Sequence, residues 1–231
     1  FFLEYENSDI DLDIGKIGNH LSIPVDGIIF HAIAKGDPNN PLMLCLHGFP
    51  ESAYSWRYIM GSFCTEYYVV AIDMPGYGAT SKKAPSYWKC EEYSTSKLSS
   101  IIIKIIFQLK KDNCVLVGHD YGAVTAWSIA ATYPNHIKKL IVMNGPHPTS
   151  FVMNFNWTQF FKSLYILFFQ LPYIPELYLS LNNYSFIQSA FLSEKCGIIN
   201  KSKISPQDIE HFKWSISRGG TMTAALNYYR S

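Results

Sequence analysis

An excess of charge of either sign is missing from this chain. Its 19 Lys and Arg residues offset 18 Asp and Glu residues, leaving a formal net charge of +1, and the basic residues are scattered. A phosphate backbone or an anionic surface is met by a basic stripe or cluster, so nothing here calls for a nucleic-acid partner. Cysteine is sparse and unpatterned. The five (Cys45, Cys64, Cys90, Cys114, Cys196) are an odd number, without CxxC or Cys/His metal spacing. Cys45 and Cys114 fall inside apolar runs, where a thiol behaves as a small core residue. The expectation is reduced, structural cysteines in an intracellular compartment, either cytoplasmic or facing the cytosol from a membrane. A long unbroken apolar run is lacking too. The most apolar later stretch, Phe160 to Leu181, contains Lys162, Gln170, Pro172, Pro175 and Glu176, which argues against a bilayer span. The chain opens Phe1-Phe2-Leu3-Glu4, with neither methionine nor a signal-peptide apolar region. It is expected to be a fragment at that end, with membrane association only through a segment upstream of Phe1.

What is present is a globular composition, 48% hydrophobic, in 231 residues, enough for one domain with a smaller insert. Gly27 to Ala34, Leu42 to His47, Tyr67 to Asp73, Cys114 to His119 and Lys139 to Asn144 read as strands. They are apolar and β-branched throughout, the pattern of strands buried on both faces. Helical stretches lie between them, such as Ser96 to Lys110 and Tyr121 to Tyr133. Alternation of strand and helix predicts an α/β fold with a mostly parallel sheet and helices on both faces. After Pro148 the strand-like runs stop and Phe, Tyr, Leu and Asn dominate. That shift predicts a core over residues 1–148 and a helical subdomain over 149–231.

The chemistry concentrates in two segments. Gly118-His119-Asp120-Tyr121-Gly122 joins a strand to a helix, with small residues two before and two after the acid. This is the nucleophile-elbow pattern, with Asp120 where lipases carry serine. Gly118 and Gly122 permit the sharp turn, and the following helix N-terminus favours negative charge. The same aspartate also reads as a simple N-cap. The second segment, His47-Gly48-Phe49-Pro50-Glu51, follows the strand LMLCL. In α/β-hydrolases this loop and the residue after the nucleophile supply the oxyanion-hole N–H groups, here those of Phe49 and Tyr121. His47 takes a structural position in that loop, beside Gly48 and Pro50.

With HGFPESAYSWRY (His47 to Tyr58), AIDMPGYGAT (Ala71 to Thr80), VLVGHDYGA (Val115 to Ala123) and Pro146 to Pro148, the chain resembles the epoxide hydrolase family of the α/β-hydrolase fold. The resemblance implies that residues 149–231 form the family's cap. It also implies that SLYILFFQLP (Ser163 to Pro172) and ALNYYR (Ala225 to Arg230) supply its paired tyrosines, Tyr165 and Tyr229. An epoxide needs a nucleophile on carbon and an acid on oxygen. Asp120 would form an alkyl ester while the tyrosines protonate the ring oxygen, and water would then release a vicinal diol. No metal or organic cofactor is required. The implied partners are a small apolar epoxide and water.

The hydrolytic step in this family uses a histidine oriented by an acid, both beyond the cap. None of the seven histidines (His20, His31, His47, His119, His136, His147, His211) stands in that context, and the alternative acid position falls near Asn144. The expectation is a C-terminally truncated chain lacking the last core strands and unable to turn over alone. Gly145 replaces a more usual alanine, which reads as a minor change, and Tyr121 stands where tryptophan is common. A haloalkane dehalogenase-like hydrolase shares the Asp nucleophile but needs halide donors, usually that tryptophan. A non-enzymatic protein could instead hold an apolar ligand among cap aromatics such as Phe168, Phe169 and Tyr173.

Overall fold

A computed structural model describes residues 17–81, 86–88, 90–194 and 197–231 of the chain. Its strands are β1 (Asn19–Val25), β2 (Ile28–Lys35), β3 (Leu42–Leu46), β4 (Tyr68–Ile72), β5 (Cys114–His119) and β6 (Ile137–Met143). They form one sheet in the order β1-β2-β4-β3-β5-β6. The β4-β3-β5-β6 ladder is parallel, and β1 and β2 add to it antiparallel. β1 and β2 are joined by Asp26-Gly27, with φ +51° and +77°. An Asp-Gly pair with both φ positive is the turn whose twist matches a two-residue hairpin.

Side chains alternate across the sheet, and both faces are covered. Leu42, Leu44 and Leu46 of β3 join Leu116, Val70 and Ile72 on one face. There they pack with the isoleucine run of α2 (Thr95–Gln108) and with Ala126 and Ile129 of α3 (Tyr121–Thr132). Met43 and Cys45 point the other way, toward Val69, Ala71, Val115 and Val117, with Trp56 and Met60 of the segment leading into and through α1 (Arg57–Phe63). Cys45 and Cys114 are buried free thiols, and burial pushes Cys114 up to about 12. Cys196 lies outside the described residues.

Two expectations are corrected. The strand β1 was not anticipated, although Leu21, Ile23 and Val25 alternate with Ser22 and Pro24. Pro24 fits there because β1 is an edge strand, where a missing N–H costs little. β6 is not buried on both faces. It is the other edge strand among the described residues, and Lys138, Lys139, Ile141 and Met143 are exposed.

After β6 the described elements are helical: α4 (Pro148–Met153), α5 (Trp157–Lys162), α6 (Leu164–Phe169), α7 (Ile174–Leu192), α8 (Pro206–Ser217) and α9 (Thr221–Arg230). No described helix is long and apolar enough to cross a membrane. Ser205 and Asp208 form a capping box on α8. The same Asp208 carboxylate accepts from the Tyr54 hydroxyl at 2.5 Å and pairs with Arg57 at 3.2 Å, tying α8 to the loop after β3.

The loops at the carboxyl ends of β3 and β4 are held by one buried side chain. Asp73 accepts from the backbone N–H of Ala53 (2.8 Å) and Ala79 (2.9 Å) and from the His31 imidazole (2.8 Å). Burial works against its charge, but His31 and the Ala53 N–H outweigh that and hold the carboxyl well below the usual range. Its stabilisation is therefore complete above the ordinary carboxylate pKa and is lost only as strong acid protonates it. Asp73→Ala leaves these buried donors unpaired and is expected to cost about 3 kcal/mol, measured as a lowered urea midpoint at neutral pH.

Candidate active site

Asp120 stands where β5 turns into α3, with φ +51° and ψ −120°. A non-glycine residue pays for positive φ, and the surroundings leave it little choice. A Cβ on Gly118 would lie 2.5 Å from the Gly122 carbonyl oxygen, and one on Gly122 would lie 2.3 Å from that of Leu46. Both glycines are therefore required for the strand and helix to approach this closely. Gly145, which reads as a minor change in the sequence, is constrained as well, since a Cβ there would lie 2.4 Å from Ala123 Cβ.

The Asp120 side chain makes no capping bond to its own helix in the N2 or N3 manner. Oδ1 instead accepts from the Phe49 N–H at 3.0 Å, and the Tyr121 N–H also donates to the carboxylate. Burial raises the Asp120 pKa above its ordinary value, with the two N–H groups opposing. Gly48 is pressed against it: a Cβ there would sit 2.4 Å from Asp120 Cβ and 2.5 Å from Oδ1. The Phe49–Pro50 peptide is cis. His47 is buried with both ring nitrogens engaged, Nδ1–H donating to the Gly48 carbonyl (2.9 Å) and Nε2 accepting from the Met74 N–H (3.0 Å). Burial lowers its pKa, so it is a neutral pin between two loops.

Above the carboxylate lies a ring of aromatics. Tyr229 of α9 meets Phe169 at 5.1 Å, Tyr121 at 5.3 Å, and Phe49 and Tyr165 at 6.0 Å between centroids. Phe186 stacks on Phe49 at 5.9 Å. The structure thus brings together Asp120, Phe49, Tyr121, Tyr165 and Tyr229. Burial, followed by the Asp120 charge, raises the pKa of Tyr165 and raises that of Tyr229 well above the phenol range. Both hydroxyls stay protonated at neutral pH. Among the cap aromatics, Phe169 belongs to this ring, whereas Tyr173 is exposed and packs against Tyr87 at 4.1 Å. Phe168 packs on Tyr178 as well as on Phe169.

Several residues here were not singled out from sequence. Glu51 binds His119 Nδ1 at 2.9 Å, and His119 Nε2 lies 3.3 Å from the Asn144 amide. The bond to Glu51 raises the His119 pKa against the opposing effect of burial. Both nitrogens are occupied, so His119 steadies the elbow. The Tyr121 hydroxyl donates to the Tyr228 carbonyl oxygen, and the Tyr228 hydroxyl donates to that of Pro75 at 2.8 Å. The run NYYR and the glutamate ending HGFPE were the available signals.

The family model described as the alpha/beta hydrolase fold matches residues 41–179. Epoxide hydrolase 3 of Xenopus tropicalis is 43% identical over 209 residues, covering 89% of this chain and 56% of that protein. Epoxide hydrolase 4 of Homo sapiens is 39% identical over 222 residues, covering 94% of this chain and 60% of that one. The chain thus spans less than two thirds of the length of these curated relatives. A Bacillus megaterium epoxide hydrolase, a mutant complexed with its diol product, superimposes with a TM-score of 0.79 at 32% identity. That match covers 91% of this chain and 71% of the other.

Two outcomes follow from the packing around Asp120. Reaction of its carboxylate with an electrophile should rise with pH through a midpoint above the ordinary carboxylate value, then stay flat through neutral pH, where the tyrosines remain protonated. The check is the rate of ester formation across that range. Gly48→Ala should slow the same reaction by roughly 100-fold or more, because the added methyl displaces the Asp120 carboxylate.

Proposed function

The chain belongs to the epoxide hydrolase family of the α/β-hydrolase fold, and on that premise we propose that Asp120 opens epoxides as the nucleophile of a two-step hydrolysis. The observation that carries this reading is a carboxylate held by two backbone N–H groups beneath a pair of protonated tyrosines.

An Asp120 oxygen attacks an epoxide carbon, and the ring C–O bond breaks. Its electron pair goes to the ring oxygen, which takes a proton from Tyr165 or Tyr229. The phenolate left behind is reprotonated from solvent. General acid help of this kind contributes roughly 10²–10⁴-fold, because an unprotonated alkoxide leaves poorly. Water then adds to the carbonyl carbon of the ester. The resulting oxyanion is held by the Phe49 and Tyr121 N–H groups, the diol departs, and the carboxylate returns. This second step needs a base. The reading assigns that role to neither His47 nor His119, since both imidazoles are fully engaged.

The substrate class suggested by the aromatic ring around Tyr229 is a bulky, apolar epoxide, since such walls bind by burial of apolar surface. A dehalogenase reading is disfavoured by Tyr121, whose hydroxyl is committed to the Tyr228 carbonyl and so offers no donor to a halide. Residues 1–148 are assigned to the core and 149–231 to a cap that closes over Asp120.

The test is exposure of the 231-residue chain to an aryl glycidyl ether and, separately, to a chloroalkane, with intact mass and halide release as readouts. One ester per chain should form with the epoxide and no halide with the chloroalkane. Asp120→Asn should abolish the ester. Tyr165→Phe and Tyr229→Phe should each slow it about 10-fold, the cost of one lost hydrogen bond to developing charge, and the double variant by roughly 100-fold or more. Equal rates in wild type and the double variant would remove the tyrosines from the mechanism.

A further inference from the structure

One side chain fastens the helix that carries Tyr229 to the helix that carries Tyr165. The side chain of Arg230, the last residue of α9, is only 6% exposed. Its Nε donates to the Phe169 carbonyl at 2.7 Å and Nη2 donates to that of Leu171 at 2.8 Å. Phe169 ends α6, where a helix leaves acceptors unpaired, and Leu171 lies in the turn just after it. Nη1 and Nη2 also meet the two oxygens of Glu176 at 2.8 and 3.3 Å. Glu176 is fully buried in the first turn of α7. Gln170 adds a parallel tie, donating to the Tyr229 carbonyl at 2.7 Å.

This arrangement is costly for mere stability, since a buried ion pair contributes little compared with apolar residues of the same volume. What it supplies is geometry. Arg230 is the neighbour of Tyr229 in sequence, and Phe169 lies one helical turn after Tyr165, with the two rings 5.5 Å apart. We propose that Arg230, oriented by Glu176, is a positioning residue that sets the separation of the Tyr165 and Tyr229 hydroxyls over the epoxide oxygen. The inference rests on the ring-opening role given to those tyrosines above. A lysine cannot substitute, because a point charge lacks the planar fork that reaches two carbonyls and a carboxylate together.

The experiment uses Arg230→Lys, Arg230→Met and Glu176→Gln in the 231-residue chain. Ester formation on Asp120 from an aryl glycidyl ether is followed as limiting rate and half-saturating concentration, beside the thermal midpoint. Arg230→Lys should lower the limiting rate roughly 10- to 100-fold, with less than about a twofold change in half-saturation. The same change in the Tyr165→Phe/Tyr229→Phe background should have no further effect, which a purely structural role would not produce. If Arg230→Met fails to fold, Arg230→Lys and Glu176→Gln carry the comparison. An unchanged limiting rate in folded Arg230→Lys overturns the proposal, as does an equal loss in the background without the tyrosine hydroxyls. Failure of wild type to form any ester overturns the ring-opening reading itself, and the positioning role with it.

Discussion

The Asp120 carboxylate is fixed in place by how little room surrounds it. The residue is held at positive φ because β5, α3 and the loop after β3 meet within a space that tolerates no side-chain carbon at Gly48, Gly118 or Gly122. The same crowding points the Phe49 and Tyr121 N–H groups at the carboxylate. It also buries the charge enough to raise the pKa. Backbone strain, donor geometry and a partly desolvated anion are thus three results of one packing constraint.

The loops that define this space are braced from outside it. Asp73 gathers Ala53, Ala79 and His31, His47 pins the Gly48 carbonyl to the Met74 N–H, and Glu51 holds His119 directly before the elbow. From above, Tyr121 and Pro75 bind the two ends of Tyr228, so α9 is registered against the elbow helix itself. Tyr229, the next residue, is held by that contact, by the aromatic ring around it and by the ties of Gln170 and Arg230 across to the end of α6.

How much of this was legible in the sequence depended on separation along the chain. The alternation of buried strands with helices was readable because local runs such as LMLCL and CVLVGH are apolar on both sides of the pleat. β1 was missed because only Leu21, Ile23 and Val25 carry its signal, interrupted by Pro24. β6 reads as buried because of the run LIVM, whereas among the described residues Lys138, Lys139, Ile141 and Met143 are exposed. The elbow and the loop after β3 were legible as short motifs with fixed glycines. The partnerships of Glu51 with His119 and of Arg230 with Glu176 were not, because they join residues 68 and 54 positions apart. Tyr173 was expected in the aromatic wall, but its backbone has φ +64° just before α7, and its ring packs on Tyr87.

The proposed ring opening makes an Asp120 carboxylate oxygen the reactive atom. Peptide mapping of the chain after brief exposure to an aryl epoxide tests it most directly, with hydroxylamine used to distinguish esters from other adducts. The expected result is a hydroxylamine-sensitive ester on the peptide containing Asp120, while the partly exposed thiols of Cys64 and Cys90 stay unmodified. A hydroxylamine-resistant adduct on either cysteine or on a histidine, with Asp120 untouched, would contradict it.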